Sequence, residues 1–224
     1  MALPERFSNL PDYAFPRLMA LLSGISPGPS AAEPVVMTIG EPRHAVPEFT
    51  GRIMAESIAQ FGKYPPNEGS AELLAAISGW IGRRHGIEVE PARITALNGT
   101  REGLFNAALA LCPEQKSGQR TAILIPNPFY QVYAVAAAAV GAEPVFVSAG
   151  PETGFLPRYA DLDTDLLDRV GIAYLCSPAN PQGSVASEDY LEELIALAER
   201  HDFLIFSDEC YSEIWRDTPP PGAL

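Results

Sequence analysis

The chain has 224 residues, 47% of them hydrophobic and 19% charged, with a formal net charge of −13. That length supplies one sizeable core, or one domain and part of another. The acidic balance disfavours nucleic acid and anionic membrane as partners, no stretch is long and apolar enough to span a bilayer, and no basic-then-apolar leader opens the chain.

In chain order, the first thirty-odd residues are proline-rich and broken, and only Pro16 to Gly24 reads as a short helix, with Leu18, Leu21 and Leu22 apolar. Ser26 to Pro34 is a loop of small residues and prolines, and Val35 to Ile39 reads as a short strand ending at Gly40. From about Pro47 the texture changes to alternating helices and short apolar strands. Ser70 is placed to cap a helix that continues to His85, with Leu74, Ile77 and Ile81 on one face. Arg93 to Leu97 reads as a strand and Thr100 to Cys112 as a helix. Next come strand Ala122 to Ile125, helix Tyr130 to Val140, strand Pro144 to Val147 and strand Ile172 to Cys176. Ser187 caps a helix with Leu191, Leu194, Ile195 and Ala198 at helical spacing, and Phe203 to Phe206 is the last clear strand. Continuous apolar strands of this kind are buried on both faces. The predicted fold class is therefore α/β, a mostly parallel sheet flanked by helices.

Cys112, Cys176 and Cys210 are odd in number and show no C-x-x-C spacing, which predicts a reducing, cytoplasmic setting. His44, His85 and His201 are scattered without metal-ligand spacing and are predicted as surface or capping residues.

In an open parallel sheet, ligands bind beyond the carboxyl ends of the strands. The predicted strands are followed by Asn98-Gly99-Thr100-Arg101, by Pro126-Asn127-Pro128-Phe129-Tyr130, by Ser177-Pro178-Ala179-Asn180-Pro181 and by Ser207-Asp208-Glu209-Cys210-Tyr211. A helix start at Gly99 lets backbone N–H groups approach a phosphate, and Thr100 adds a hydroxyl. Tyr130 offers a flat ring for stacking. Asp208 ends an apolar strand, where an unpaired carboxylate is costly and a protonated pyridine nitrogen would satisfy it. Asn180 and Tyr211 can both donate to a phenolic oxygen. Taken singly, each residue has a plainer reading: a cap, a turn asparagine, a packing tyrosine. Their joint placement calls for a flat, phosphorylated, cationic heteroaromatic ring with a hydroxyl, and pyridoxal 5′-phosphate meets that description. No G-x-G-x-x-G follows a strand, which disfavours a dinucleotide-binding fold.

At these residues the sequence resembles the class I/II aminotransferases of the fold-type I pyridoxal-phosphate enzymes. The matching segments are IGEP at 39 to 42, KYPPNEG at 63 to 69, NGTREGLF at 98 to 105, NPFYQVY at 127 to 133, SPANPQGSV at 177 to 185 and SDECYSEIW at 207 to 215. They cover nearly the whole chain, in the family's order. The resemblance implies that Gly99, Thr100 and Arg101 cradle the phosphate, largely through backbone amides. It implies that Tyr130 stacks on the pyridine ring, that Asn180 and Tyr211 hold the ring hydroxyl, and that Asp208 keeps the ring nitrogen protonated. It also implies that Tyr64 reaches the phosphate of the other subunit in a homodimer and that Gly40 lies beside the substrate carboxylate. Residues 1–45 would form an N-terminal arm with part of the small domain, and residues 46–224 the N-terminal part of the large cofactor-binding domain, left incomplete.

Within the family the likeness is greatest to the succinyldiaminopimelate aminotransferases of bacterial lysine biosynthesis, through IGEPRH, NPFYQVY, CSPANPQGSV and SDECYSEIW. The implied substrates are an amino acid and a 2-oxo acid, N-succinyl-LL-diaminopimelate and 2-oxoglutarate. Three alternatives stay open: another substrate in the family (aspartate, aromatic, kynurenine or acetylornithine), a β-eliminating lyase on the same scaffold, or a cofactor-binding fragment without catalysis. In the family the lysine that holds the cofactor covalently lies downstream of the Asp-Glu-x-Tyr segment. The only lysines here, Lys63 and Lys116, match no such position. The chain by itself is therefore expected to be inactive, and to be unstable through unpaired strand edges.

Overall fold

The computed structural model describes residues 4–8, 10, 12–26, 28–29, 32, 35, 37, 40 and 44–224. The chain divides into two units. The first comprises Met1–Tyr13, Ile81–Ile87 and Leu97–Leu224, and the second Ala14–Trp80 and Glu88–Ala96.

In the first unit, the most apolar runs form the middle of a sheet. Strand β3 (Ala122–Asn127) pairs with β4 (Glu143–Ser148) on one side and β5 (Val170–Cys176) on the other, and β5 pairs with β6 (Leu204–Asp208). All three ladders are parallel and the order is β4-β3-β5-β6, as the continuous apolar runs predict. Successive residues of the central strands face opposite layers. Leu124, Ala173 and Leu175 pack in the layer of Leu191, Leu194 and Leu197 from helix α7 (Glu188–His201). Ile123, Ile125, Ile172 and Tyr174 pack against Tyr133, Ala134 and Ala137 from helix α5 (Gln131–Ala139) and Ala108 from helix α4 (Thr100–Leu111). The sheet is thus closed on both faces, while the outer edges of β4 and β6 have no ladder partner among the described residues. The β3–β5 register slips between Ala122 and Ile123, beside Gly171. A Cβ on Gly171 would stand 2.7 Å from the Thr121 Cγ2, so the close approach needs glycine.

Ser187 caps α7 through its side chain, which accepts from the Tyr190 amide at 3.2 Å. Of the residues predicted to face the core from this helix, Leu191, Leu194 and Ala198 do so, while Ile195 is exposed and Leu197 takes its place. Between α4 and β3 the chain forms a small antiparallel hairpin, β1 (Gln115–Lys116) with β2 (Gln119–Arg120). A four-residue helix, α6 (Thr164–Leu167), precedes β5.

In the second unit the short N-terminal helix is present as α1 (Ala14–Leu22), followed by α2 (Glu48–Glu56) and the greater part of α3 (Ala71–His85). The Ser70 hydroxyl accepts from the Leu73 amide at 3.2 Å, as its capping role predicts. No described residue of this unit is buried. The segment predicted as a strand over Arg93 to Leu97 is not one: a 3-10 turn occupies Pro91–Arg93, and no ladder follows among the described residues. Among the described residues its one backbone bond to distant chain runs from the Ala96 amide to the Glu68 carbonyl, and its apolar run has no strand beside it to pair with. The strand predicted over Val35 to Ile39 lies largely outside the described residues.

Candidate functional site

The parallel strands end together, and the segments that follow them meet. The last residues of β5 and β6, Cys176 and Asp208, are register partners, and the Ser177 amide extends the ladder to the Asp208 carbonyl at 3.1 Å. Asp208 is only 7% exposed. Its Oδ2 accepts from the Tyr133 hydroxyl at 2.6 Å, and its Oδ1 accepts a long bond from the Cys210 amide at 3.4 Å. Among the described residues no cation pairs with it. A carboxylate this far from water with only neutral donors lacks compensation, and a cationic N–H would supply it.

The neighbours of Asp208 are set by local geometry. Tyr130 stands at the N-cap of α5 and Tyr133 in its first turn, so the i, i+3 spacing brings their rings edge to face, 5.7 Å apart. Tyr133 is fully buried and stacks on Tyr174 of β5 at 4.3 Å. Burial first, and then Asp208, raise the Tyr133 phenol, so it remains a hydrogen-bond donor. Tyr174 in turn donates from its hydroxyl to the Leu104 carbonyl of α4 at 2.9 Å.

The start of α4 has no side-chain cap. Gly99 occupies the N-cap with φ +107°, a conformation open to glycine, and no heavy atom lies within 4 Å of where its Cβ would be. Arg101, one residue into the helix after Thr100, donates from Nε to the Tyr130 hydroxyl and lies over the Tyr130 ring at 5.6 Å. On the other flank the Asn180 Nδ2 donates to the Tyr211 hydroxyl at 2.6 Å. The Asn180 loop is fixed by Ala179 and Ser184, whose amide and carbonyl bond at 2.8 Å, and by the Ser177 hydroxyl, which accepts from the Ala186 amide at 3.0 Å.

The structure therefore brings together Arg101, Tyr130, Asp208, Asn180 and Tyr211, with Gly99 and Thr100 at the adjoining helix start. Tyr64 and Gly40 belong to the second unit, where both are exposed and Tyr64 wholly so. Sequence reasoning missed Tyr133, although its place one helical turn beyond Tyr130 was a readable signal. Lys116 lies at the opposite end of the sheet. Its Nζ donates to the carbonyls of Val170, where β5 begins, and of His201 and Asp202. Strand β5 runs seven residues from Val170 at that end to Cys176, about 20 Å at the usual rise. Burial lowers the Lys116 ammonium from its ordinary value.

Comparison with known proteins gives the same family by three routes. Residues 32–223 match the family described as aminotransferase class I and II. The LL-diaminopimelate aminotransferase of Halothermothrix orenii is 29% identical over 221 residues, 96% of this chain and 55% of that protein. The LL-diaminopimelate aminotransferase of Dehalococcoides mccartyi is 30% identical over 220 residues, again 96% of this chain and 54% of the relative. Among solved structures, an aminotransferase from Neisseria meningitidis superposes with a TM-score of 0.89 at 35% identity, covering 98% of this chain and 56% of that one. The chain thus spans about half the length of the relatives it matches.

Proposed function

Because the chain belongs to the class I and II aminotransferases, a pyridoxal-phosphate-dependent family acting on amino acids and 2-oxo acids, we propose that it carries most of the cofactor pocket of such an enzyme. The observation that carries this reading is Asp208: buried, held by a neutral phenol, and without a cation among the described residues. A protonated pyridine nitrogen matches that carboxylate in charge and in hydrogen bonding.

In this reading Asp208 holds a proton on the ring nitrogen, and Tyr133 keeps its second oxygen satisfied and its plane fixed. Tyr130 supports one face of the ring. Asn180 and Tyr211, already bonded to each other, donate to the ring oxygen. The uncapped helix start at Gly99, Thr100 and Arg101 takes the phosphate, with Arg101 shifting from the Tyr130 ring to do so. The bound cofactor supplies an electron sink for the substrate α-carbon. Tyr64, wholly exposed, reaches the phosphate across a homodimer, and Gly40 lies beside the substrate carboxylate. Neither Lys116, tied to three carbonyls, nor Lys63 of the second unit is the covalent lysine, so the chain on its own is inactive. Residues 1–45 act as arm and small-domain segment, and the three cysteines, all free, suit a cytoplasmic setting.

We further propose that the substrate is a diaminopimelate derivative, transaminated with 2-oxoglutarate by a two-half-reaction route. The sequence likeness favours the N-succinyl-LL form. The names of the relatives favour unmodified LL-diaminopimelate as a second reading. Glutamate release by the complete protein from each compound with 2-oxoglutarate decides between them. Turnover of neither, with clear turnover of aspartate or an aromatic amino acid, overturns the substrate assignment. Pyruvate release without an oxo-acid acceptor identifies a lyase.

A further inference from the structure

The turn that carries Tyr211 is gripped by a residue far from it in sequence. Arg84 lies in the last turn of α3, within the stretch Ile81–Ile87 that belongs to the first unit. Its Nε donates to Glu213 Oε1 at 2.7 Å. Its Nη2 donates to the Pro220 carbonyl at 2.9 Å and, more weakly, to the Ser212 carbonyl at 3.4 Å. The Arg84 side chain is 13% exposed and that of Glu213 is 53% exposed. An exposed ion pair contributes little. Arg84 differs because it has left water almost entirely and spends a planar fork on two backbone carbonyls as well as a carboxylate.

Those acceptors bracket one tight structure. The Ser212 amide donates to the Glu209 carbonyl and the Ile214 amide to the Tyr211 carbonyl, each at 2.9 Å, so residues 209–214 form a compact turn. The returning segment is fastened a second time by Glu209, whose Oε1 accepts from the Ala223 amide at 2.9 Å and from the Ser207 hydroxyl at 2.8 Å. Glu209 is the residue of the Asp-Glu-x-Tyr segment to which no role has been attached. Together Arg84 and Glu209 clasp the turn from both ends.

We infer that Arg84 is a positioning residue: through Glu213, Ser212 and Pro220 it fixes the turn and so holds the Tyr211 hydroxyl beside Asn180, where it meets the cofactor's ring oxygen. The inference rests on the cofactor reading of Tyr211 given above. The physical reason is reach. Tyr211 is half-buried and its hydroxyl must be placed to a fraction of an ångström, which a turn on the surface cannot secure without an anchor.

The test uses the complete protein loaded with pyridoxal 5′-phosphate. It reads the pH midpoint at which the bound cofactor's visible absorption changes, and the cofactor's dissociation constant. Donation from Tyr211 stabilises the ring oxygen as an anion, so Tyr211→Phe raises the midpoint and sets the reference. Arg84→Met raises it in the same direction and weakens cofactor binding by roughly threefold to tenfold. Added to Tyr211→Phe, it brings no further shift. Arg84→Lys, which restores charge opposite Glu213 but not the grip on the backbone, gives an intermediate midpoint. Glu213→Gln gives a smaller shift of the same sign and decides the matter if Arg84→Met does not fold. An unmoved midpoint in the folded Arg84 and Glu213 variants, against a raised one in Tyr211→Phe, overturns the inference. So does a shift from Arg84→Met that is as large without the Tyr211 hydroxyl as with it. An unmoved Tyr211→Phe instead sinks the cofactor reading of Tyr211 itself, and the inference with it.

Discussion

The Tyr133 hydroxyl donates to Asp208 Oδ2 at 2.6 Å across a sequence separation of 75 residues. The bond joins the first turn of α5 to the end of β6, and it lies inside the layer where Tyr133 stacks on Tyr174. One contact therefore belongs both to the core and to the candidate site.

Tyr133→Phe keeps the stacked ring and removes only the donor. The Asp208 oxygen is then buried without its partner, which costs about 1–3 kcal/mol. Chemical denaturation should show that loss, and cofactor titration should show weaker binding. Unchanged values in both measurements would mean that the phenol does not support the carboxylate.

Cys210 is an exposed residue whose thiol is nevertheless hard to ionise. Partial desolvation of the sulfur, and then the charge of Asp208, push it up to about 12 from an ordinary 9.0. Because the shift is upward, thiolate is scarce below that value, roughly one part in ten thousand at pH 8. Alkylation of Cys210 by iodoacetamide should be far slower in the folded protein than in urea, rising with pH beyond the range where ordinary thiols level off. Asp208→Asn should accelerate it. Equal rates in folded and unfolded protein at pH 8 would contradict this account.

Gly99→Ala meets no steric obstacle, since the space around the Cβ position is open. Its penalty comes from the backbone, which sits at φ +107°. An L-residue there costs about 1–2 kcal/mol and pulls the helix start away from its present form. Lower thermal stability together with weaker binding of pyridoxal phosphate is expected. A stability loss with cofactor affinity intact would separate the backbone role from the phosphate role.

Both outer edges of the sheet lack partners among the described residues. Expressed as residues 1–224 alone, the protein is expected to associate through those edges. Light scattering on the size-exclusion eluate checks this, and a soluble monomer with one cooperative unfolding transition would falsify it.

How far the sequence carries depends on the range of the interaction that decides each feature. Helix α7 was readable because its cap at Ser187 and its apolar spacing are both local. One residue of its inward face differs, Leu197 in place of Ile195, because the angle at which a helix meets a sheet is set by the sheet. The segment over Arg93 to Leu97 has a strand's composition, yet a strand exists only where a neighbour completes the ladder, and among the described residues none does so. Asp208, Asn180, Tyr130 and Tyr211 could be named in advance because each lies at or shortly beyond the carboxyl end of an apolar strand.

The sequence by itself determined the residue types at the strand ends, the parallel α/β class implied by uninterrupted apolar runs, and the family likeness carried by short segments in fixed order. These are properties of local composition and of spacing along the chain. Only the tertiary structure decided which groups share a hydrogen bond: Tyr133 with Asp208, Asn180 with Tyr211, Arg84 with the turn after Asp208, and Lys116 with carbonyls at the far end of the sheet. A hydrogen bond forms only within a few tenths of an ångström of its preferred length. That condition is met or missed by the packing of whole layers, which the order of residues along one strand does not specify.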